Sequence, residues 1–399
     1  MNHADRSEVN RRVVTDGDGR RYMLQLDGLR FFAVIGVLLL HYWNPPLPWV
    51  FKNVNTGLLG VLLFFVLSGF LITGILLGCR ALAEGDGPGR LFLVRQFYVK
   101  RFLRIFPIYY LTLFVLLAVG IPEVRRLWPW LFSYATNLYI AHHLQWLGSI
   151  GHFWTLAVEE QFYVVWPWLM LFAPRRWLIP IICGFIALAP IYRSYAVIVH
   201  WSDFTTNNHA AGTFTAASLD SLGAGALLAL LLSSRENTGR FDRYLGRIAV
   251  PIAASVYMLL LTTYYYGVAP KAFAVFGNLC VVVVFAWLVG GAARGLGGIA
   301  GSALEARPIR YVGKISYGVY IYHPFIPRLL VFLARHRGLR YHSRGFVNFV
   351  VSTALTILVA SASWRFVERP INRLKRHFSY RRSTSARAPL PESAPVPVD

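Results

Sequence analysis

Runs of about twenty apolar residues, separated by short arginine-bearing connections, recur along the 399-residue chain. Wound as an α-helix, a run of that length matches the roughly 30 Å hydrocarbon core of a bilayer. Spans are predicted near residues 27–44, 58–78, 105–121, 153–173, 177–197, 216–233, 248–266, 272–291, 311–333 and 346–366. The pattern therefore predicts an all-α fold, a polytopic membrane helical bundle of about ten transmembrane helices. One further apolar stretch, WPWLFSYATNLYIAHH at 128–143, breaks the alternation. Counting it as a span would put Arg175 and Arg176 outside and invert every later assignment, so it reads as a re-entrant or interfacial segment covered by protein.

Composition agrees, with 56% hydrophobic and only 15% charged residues. A net charge of +22 would point to nucleic acid in a soluble chain. Here the arginines fall in the short connections, as the positive-inside rule requires, so the charge is read as topology and no nucleic-acid partner is expected. The alternation predicts that both termini of this multi-pass protein are cytoplasmic, and the membrane expected for it is the bacterial inner membrane. One connection dissents, since Arg335, Arg337, Arg340 and Arg344 would lie outside. The expected organisation is a polar cytoplasmic segment at 1–21, a membrane domain at 22–376 and a disordered, proline- and serine-rich tail at 377–399. The first apolar run ends in HYWNPP without a small-residue cleavage pattern, so it is expected to remain as a span. Cys79, Cys183 and Cys280 have no metal-ligand spacing, and no metal site is expected there or at His142 and His143.

Candidate chemistry begins in the first span, which carries Arg30 near one end and His41 near the other, about 16 Å apart by helix rise. Ionisable residues inside a membrane helix are costly and face a cavity or a partner. At the mouth of the third span, Arg101 and Arg104 share a helical face beside Lys100. Guanidinium forks match phosphate oxygens, so the pair can grip a phosphorylated cytosolic molecule; ordinary positive-inside anchoring is the plainer alternative. Glu159 and Glu160 lie within two turns of the start of an apolar span. They point about 100° apart, so at most one faces His41 and the other is expected to pair elsewhere. Trp154, Trp166 and Trp168 read as interface aromatics.

At these residues the chain resembles the acyltransferase-3 family of integral membrane acyltransferases. The matching stretches are LDGLRFFAVIGVLLLH, FFVLSGFLIT, KRFLRIFP, FWTLAVEEQFYVVWP, DSLGAGALLA, ISYGVYIYHPF and RFVERPIN, in the family's order over roughly residues 22–376. Each is weak alone, and together they are specific. The resemblance implies a membrane enzyme, an O-acyltransferase that takes an acyl group, often acetyl, from cytosolic acyl-CoA and delivers it to a hydroxyl-bearing acceptor such as a sugar of lipopolysaccharide, exopolysaccharide or a related glycan. It carries over onto His41 in the first span, onto Arg30, and onto the pair Arg101 and Arg104. In one place the sequence departs: the family usually has an arginine two residues before the aspartate of the sixth span, where this chain has Ser218 before Asp220. Arg193 is one candidate substitute partner, with a lipid-facing role the alternative.

The residues fit that chemistry independently. A flexible pantetheine arm lets nucleotide phosphates stay among arginines at the cytoplasmic end while the acyl group reaches towards His41. A histidine is suited to accept the acceptor's proton near neutral pH, and Glu159 or Glu160 to orient its imidazole, making His41, Glu159 and Glu160 the catalytic set and Arg30, Arg101 and Arg104 the acyl-CoA set. Acyl-CoA is expected as a substrate rather than a resident cofactor. Ser68, Gly57, Gly60 and Gly69 read first as close-packing residues, with an acyl-serine the lesser alternative for Ser68. His323 either contacts substrate or is satisfied by a carbonyl freed by Pro324, and Glu368 reads as a structural lock. Two other classes compete: a proton-coupled transporter or exporter, for which the matching broken repeats are missing, and a noncatalytic scaffold, for which the ionisable set would be dispensable.

Overall fold

The computed structural model describes residues 22–43, 54–205, 210–233, 241–338 and 345–380. The expected segment 1–21, the tail from 381 onwards, and Arg340 and Arg344 lie outside the described residues. α1 (Leu24–Leu38) continues through a π-turn at Leu39–Trp43. α2 (Thr56–Glu84) and α3 (Arg90–Val119) are long, α4 (Pro122–Phe132) and α5 (Thr136–His143) are short, and α6 (Phe153–Phe172) and α7 (Arg175–Val199) are long again. After the brief α8 (Trp201–Thr205) come α9 (Leu219–Leu232), α10 (Val250–Tyr265) and α11 (Pro270–Arg294). The chain then breaks into α12 (Gly298–Glu305), α13 (Arg307–Lys314), α14 (Ser316–Tyr322) and α15 (Phe325–His336) before α16 (Phe346–Ser363). A π-turn at Trp364–Glu368, α17 (Arg369–Arg373) and a 3-10 turn at Leu374–His377 close the described part, which contains no strand.

Among the described residues eight helical segments are long and apolar enough to cross a membrane, and they coincide with eight of the ten expected spans. The other two differ for visible reasons. At 153–173 the helix is continuous, but Glu159, Glu160 and Gln161 make it too polar to qualify on hydropathy. At 311–333 the expected single helix is broken into pieces, because Ile315 leaves helical geometry and Pro324 has no N–H to continue the ladder. The stretch at 128–143 becomes α4 and α5, about 16 and 12 Å long by helix rise and so too short to span. A bend at Tyr134, with φ +53°, joins them. The carbonyls left over at the end of α4 accept from Tyr109 (to Leu131, 2.7 Å) and Tyr110 (to Phe132, 2.9 Å), so protein shelters this segment.

α2 is the hub, packed against α1, α6, α9 and α11. Small residues permit the approach: a Cβ on Gly60 would stand 2.2 Å from the Ala33 carbonyl oxygen, and one on Gly69 would stand 2.0 Å from that of Leu222. Both are backbone atoms that cannot swing aside, which confirms the packing role read for these glycines. Gly69→Ala is therefore expected to destabilise the bundle by about 1–3 kcal/mol, as overpacking does. Thermal unfolding in detergent checks this, and an unchanged midpoint would contradict it.

Arg193 proves to be the partner of Asp220. Its Nη2 lies 2.6 Å from Asp220 Oδ2, while Nη1 donates to the Ala217 carbonyl (3.0 Å) and Nε to that of Val275 (2.9 Å). One buried guanidinium thereby joins α7, α9 and α11. Trp166 corrects the expectation of interface aromatics: it is fully buried, and its indole N–H donates to Thr73 Oγ1 of α2 at 2.8 Å. Trp168 on the same helix is exposed, as expected.

Candidate active site

A cavity of about 470 Å³ opens between α1, α2, α3, α6 and α14. Arg30, Arg101, Arg104, Glu159 and Glu160 all line it, so five of the six residues singled out in the sequence meet in one place. Helix periodicity brings Arg101 and Arg104 to the same wall, three residues apart on α3. Arg30 is held by Asp27 one turn earlier on α1 (Nη1 to Oδ1, 3.2 Å), and the Tyr22 hydroxyl donates to the same carboxylate. Tyr22 lies just before α1, and its phenol is pushed up to about 12 by burial and then by the Asp27 charge. Arg101 lies over the rings of Tyr163 (5.4 Å) and Phe97 (5.7 Å). Among the described residues the Arg101 and Arg104 side chains form no ion pair or hydrogen bond. Two guanidinium forks thus face the cavity with their donors available.

The carboxylates are not equivalent. Glu159 accepts from the Ser68 hydroxyl, and Ser68 in turn accepts from Tyr163 at 3.1 Å. Ser68 is therefore a cavity residue with a fixed hydroxyl, more than the packing serine its glycine neighbour suggested. Glu160 Oε1 is buried and has no hydrogen-bond partner among the described residues. An unpartnered buried carboxyl oxygen is costly unless something binds there.

His41 stands apart from this cavity, as the exposed residue of the π-turn that ends the first span. Its Nδ1–H reaches the Val37 carbonyl at 2.9 Å, which leaves Nε2 as the lone-pair side. The ring set against it is that of His323, with centroids 4.8 Å apart, and His323 meets His152 at 5.3 Å. Tyr320 adjoins both, 5.4 and 5.7 Å away, and its hydroxyl pairs with Thr155 Oγ1 at 2.7 Å. Tyr320 and Thr155 line the arginine cavity, so a continuous file of polar side chains runs from its wall to His41. The carboxylates expected to orient the imidazole sit at the cavity end of that file, and histidines occupy the other end.

Pro324 explains the His323 geometry. Lacking an N–H, it frees the Tyr320 carbonyl, which His323 Nδ1–H takes at 2.6 Å. His152 similarly donates to the Ser149 carbonyl at 2.8 Å. The Nε2 atoms of both rings are then buried acceptors without hydrogen-bond partners among the described residues. Tyr42 pins His41's turn to the same place, its hydroxyl donating to the His323 carbonyl at 2.7 Å. Among the described residues no group of three or more His, Cys, Asp or Glu is arranged to hold a metal ion. His152, Asp27 and Tyr163 escaped the sequence reading. Each lies within or beside a quoted motif, but nothing in the spacing separated them from ordinary packing residues.

Fold and site together define a multi-pass helical membrane protein with an internal cavity lined by arginines and carboxylates and a histidine file leading away from it. A family model described as an acyltransferase domain matches residues 23–365, and the chain belongs to that family, acyltransferase-3. It is similar to the putative peptidoglycan O-acetyltransferase YrhL of Bacillus subtilis, 28% identical over 371 residues, which cover 88% of this chain and 55% of that protein. It is also similar to the peptidoglycan O-acetyltransferase OatA of Listeria monocytogenes, at 27% over 376 residues covering 89% and 56%, and to the O-acetyltransferase OatA of Staphylococcus aureus, at 25% over 374 residues covering 88% and 58%. The chain thus spans little more than half the length of these relatives. No solved structure matches it.

Proposed function

We propose that this chain is a membrane O-acyltransferase that moves an acyl group, acetyl in the first instance, from cytosolic acyl-CoA to a hydroxyl of an envelope glycan. The observation that carries the reading is the arginine cavity: guanidinium forks on α3 that are unpaired among the described residues, beside Arg30, in a chamber joined by Tyr320, His152 and His323 to His41. Arg101, Arg104 and Arg30 take the pyrophosphate of the donor, and the pantetheine arm carries the thioester inward. The acceptor hydroxyl arrives at His41, whose Nε2 removes its proton as the oxygen attacks the thioester carbonyl. The tetrahedral intermediate collapses, the C–S bond breaks, and the imidazolium returns the proton to the leaving thiolate. The products are the ester and free coenzyme A. Ser68 and Tyr163 fix Glu159 in the cavity wall. In this orientation both termini and the arginine mouth face the cytoplasm of the inner membrane.

The relatives' names support an acetyl group as the cargo and peptidoglycan as one glycan acceptor to try first. The test is purified protein in nanodiscs, given acetyl-CoA with soluble peptidoglycan fragments and other envelope glycans, following thiol release and acetyl mass on the glycan. Glycan uptake without covalent change would replace this reading with a carrier. Arg104→Ala is expected to raise the KM for acetyl-CoA at least about tenfold, since a charge-assisted phosphate bond contributes about 1.5–3 kcal/mol. Lysine at this position restores charge but not the fork, so Arg104→Lys recovers only part of it. Unchanged KM values in both variants would remove Arg104 from the donor site.

A further inference from the structure

Four polar side chains of α6 line the arginine cavity: Thr155, Glu159, Glu160 and Tyr163. Three of them are engaged. Thr155 pairs with the Tyr320 hydroxyl at 2.7 Å, Glu159 accepts from Ser68, and Tyr163 donates to the same serine at 3.1 Å. Glu160 forms no ion pair or hydrogen bond among the described residues, and its Oε1 is buried. Its level along the helix shows which part of an occupant it meets. At one end the Arg101 guanidinium stands 5.4 Å from the Tyr163 ring centroid, and at the other Thr155 and Tyr320 begin the file that leads to the histidines. Glu160 lies between these ends, about 4.5 Å along the axis from Tyr163 and about 7.5 Å from Thr155 by helix rise.

Resting on the acyl-CoA reading above, we propose that the Glu160 carboxyl accepts an amide N–H of the donor's pantetheine arm and so selects for that arm. The order of groups in the donor supports this. Its pyrophosphate and its thioester offer only acceptor atoms, whereas the arm between them carries two secondary amides, each with one N–H, and a hydroxyl near the pyrophosphate. A group that displaces water from a carboxyl oxygen must supply a hydrogen of its own or lose affinity. An amide N–H supplies one. The phosphates would meet repulsion from a carboxylate at this level, which keeps them at the arginine end. A carboxyl that only balanced the charge of Arg101 and Arg104 would be blind to the amides, and the test separates the two roles.

The measurement is the KM for acetyl-CoA and for two analogues in which the N–H of one or the other arm amide is replaced by CH₂, using full-length wild-type, Glu160→Ala and Glu160→Gln proteins in nanodiscs. The wild type is expected to favour acetyl-CoA over one of the analogues about tenfold in KM, the scale of one hydrogen bond to a charged group. Glu160→Ala should abolish that preference by raising the KM for acetyl-CoA while leaving the KM for the sensitive analogue where it was. Glu160→Gln keeps a neutral acceptor, so its preference should shrink to about threefold, and it carries the test should the alanine variant not fold. A wild type that accepts both analogues as well as acetyl-CoA overturns the assignment. So does a preference that survives in full in either variant, or an alanine variant that raises all three KM values equally, the result expected of a mere counter-charge. If the wild type releases thiol from none of the three donors, the acyl-CoA reading itself has failed, an outcome distinct from a failed Glu160 assignment.

Discussion

His41→Ala is expected to abolish most acyl transfer while leaving donor binding intact: kcat should fall about 10²- to 10⁴-fold, the usual contribution of a positioned general base, and the KM for acyl-CoA should stay within a factor of about two. The split follows from the geometry. His41 is on the π-turn at the end of the first span, and its Nδ1–H is committed to the Val37 carbonyl, so only Nε2 can take a proton. The arginines proposed to hold the donor line a separate cavity to which His41 contributes nothing. His41→Gln keeps a polar side chain of similar reach but cannot accept and return a proton, so it should fail equally. Retained transfer at normal protein levels in either variant would remove His41 from the chemistry. A parallel rise in donor KM would show instead that the turn supports the cavity.

Asp220→Ala is expected to cost about 3–5 kcal/mol, the range for removing one partner of a buried ion pair, and to lower both yield and unfolding temperature. Asp220 is 0% and Arg193 3% exposed at the side chain, so the guanidinium left behind would have no water to turn to. Arg193 also donates to carbonyls at Ala217 and Val275, so its loss of a counter-charge strains three helices at once. The double variant Arg193→Met, Asp220→Leu tests the cause, because replacing both partners by apolar groups removes the uncompensated charge. It should recover much of the lost stability. A single Asp220→Ala variant that unfolds at the wild-type temperature would contradict the account.

The two parts of the site differed in how far the sequence revealed them. Arg30, Arg101, Arg104, Glu159 and Glu160 stood out because charged residues in apolar helices are rare and carry a depth penalty, and all five line one cavity. Helical spacing alone puts Arg101 and Arg104 on one wall. The partners of these residues were harder to read. Ser68 next to Gly69 has the signature of helix packing, and Gly69 does pack, yet the serine hydroxyl donates to Glu159. Nothing local to either residue reports a contact made between α2 and α6. Arg193 and Asp220 show the same limit, as two charges whose pairing remained open until α7 and α9 were set side by side.

What the sequence by itself determined is the membrane class, nearly all the spans, the packing glycines and the set of costly ionisable residues. These follow from short-range quantities: run length against bilayer thickness, helical period, and the penalty for charge in hydrocarbon. Only the tertiary structure decided that the helix at 311–333 breaks, and that His41 faces His323, which in turn meets His152, while the carboxylates stay with the arginines. Those are encounters between segments far apart in the chain. Their geometry depends on how α1, α3, α6 and the pieces around Pro324 rotate and cross, which is set by the packing of the whole bundle.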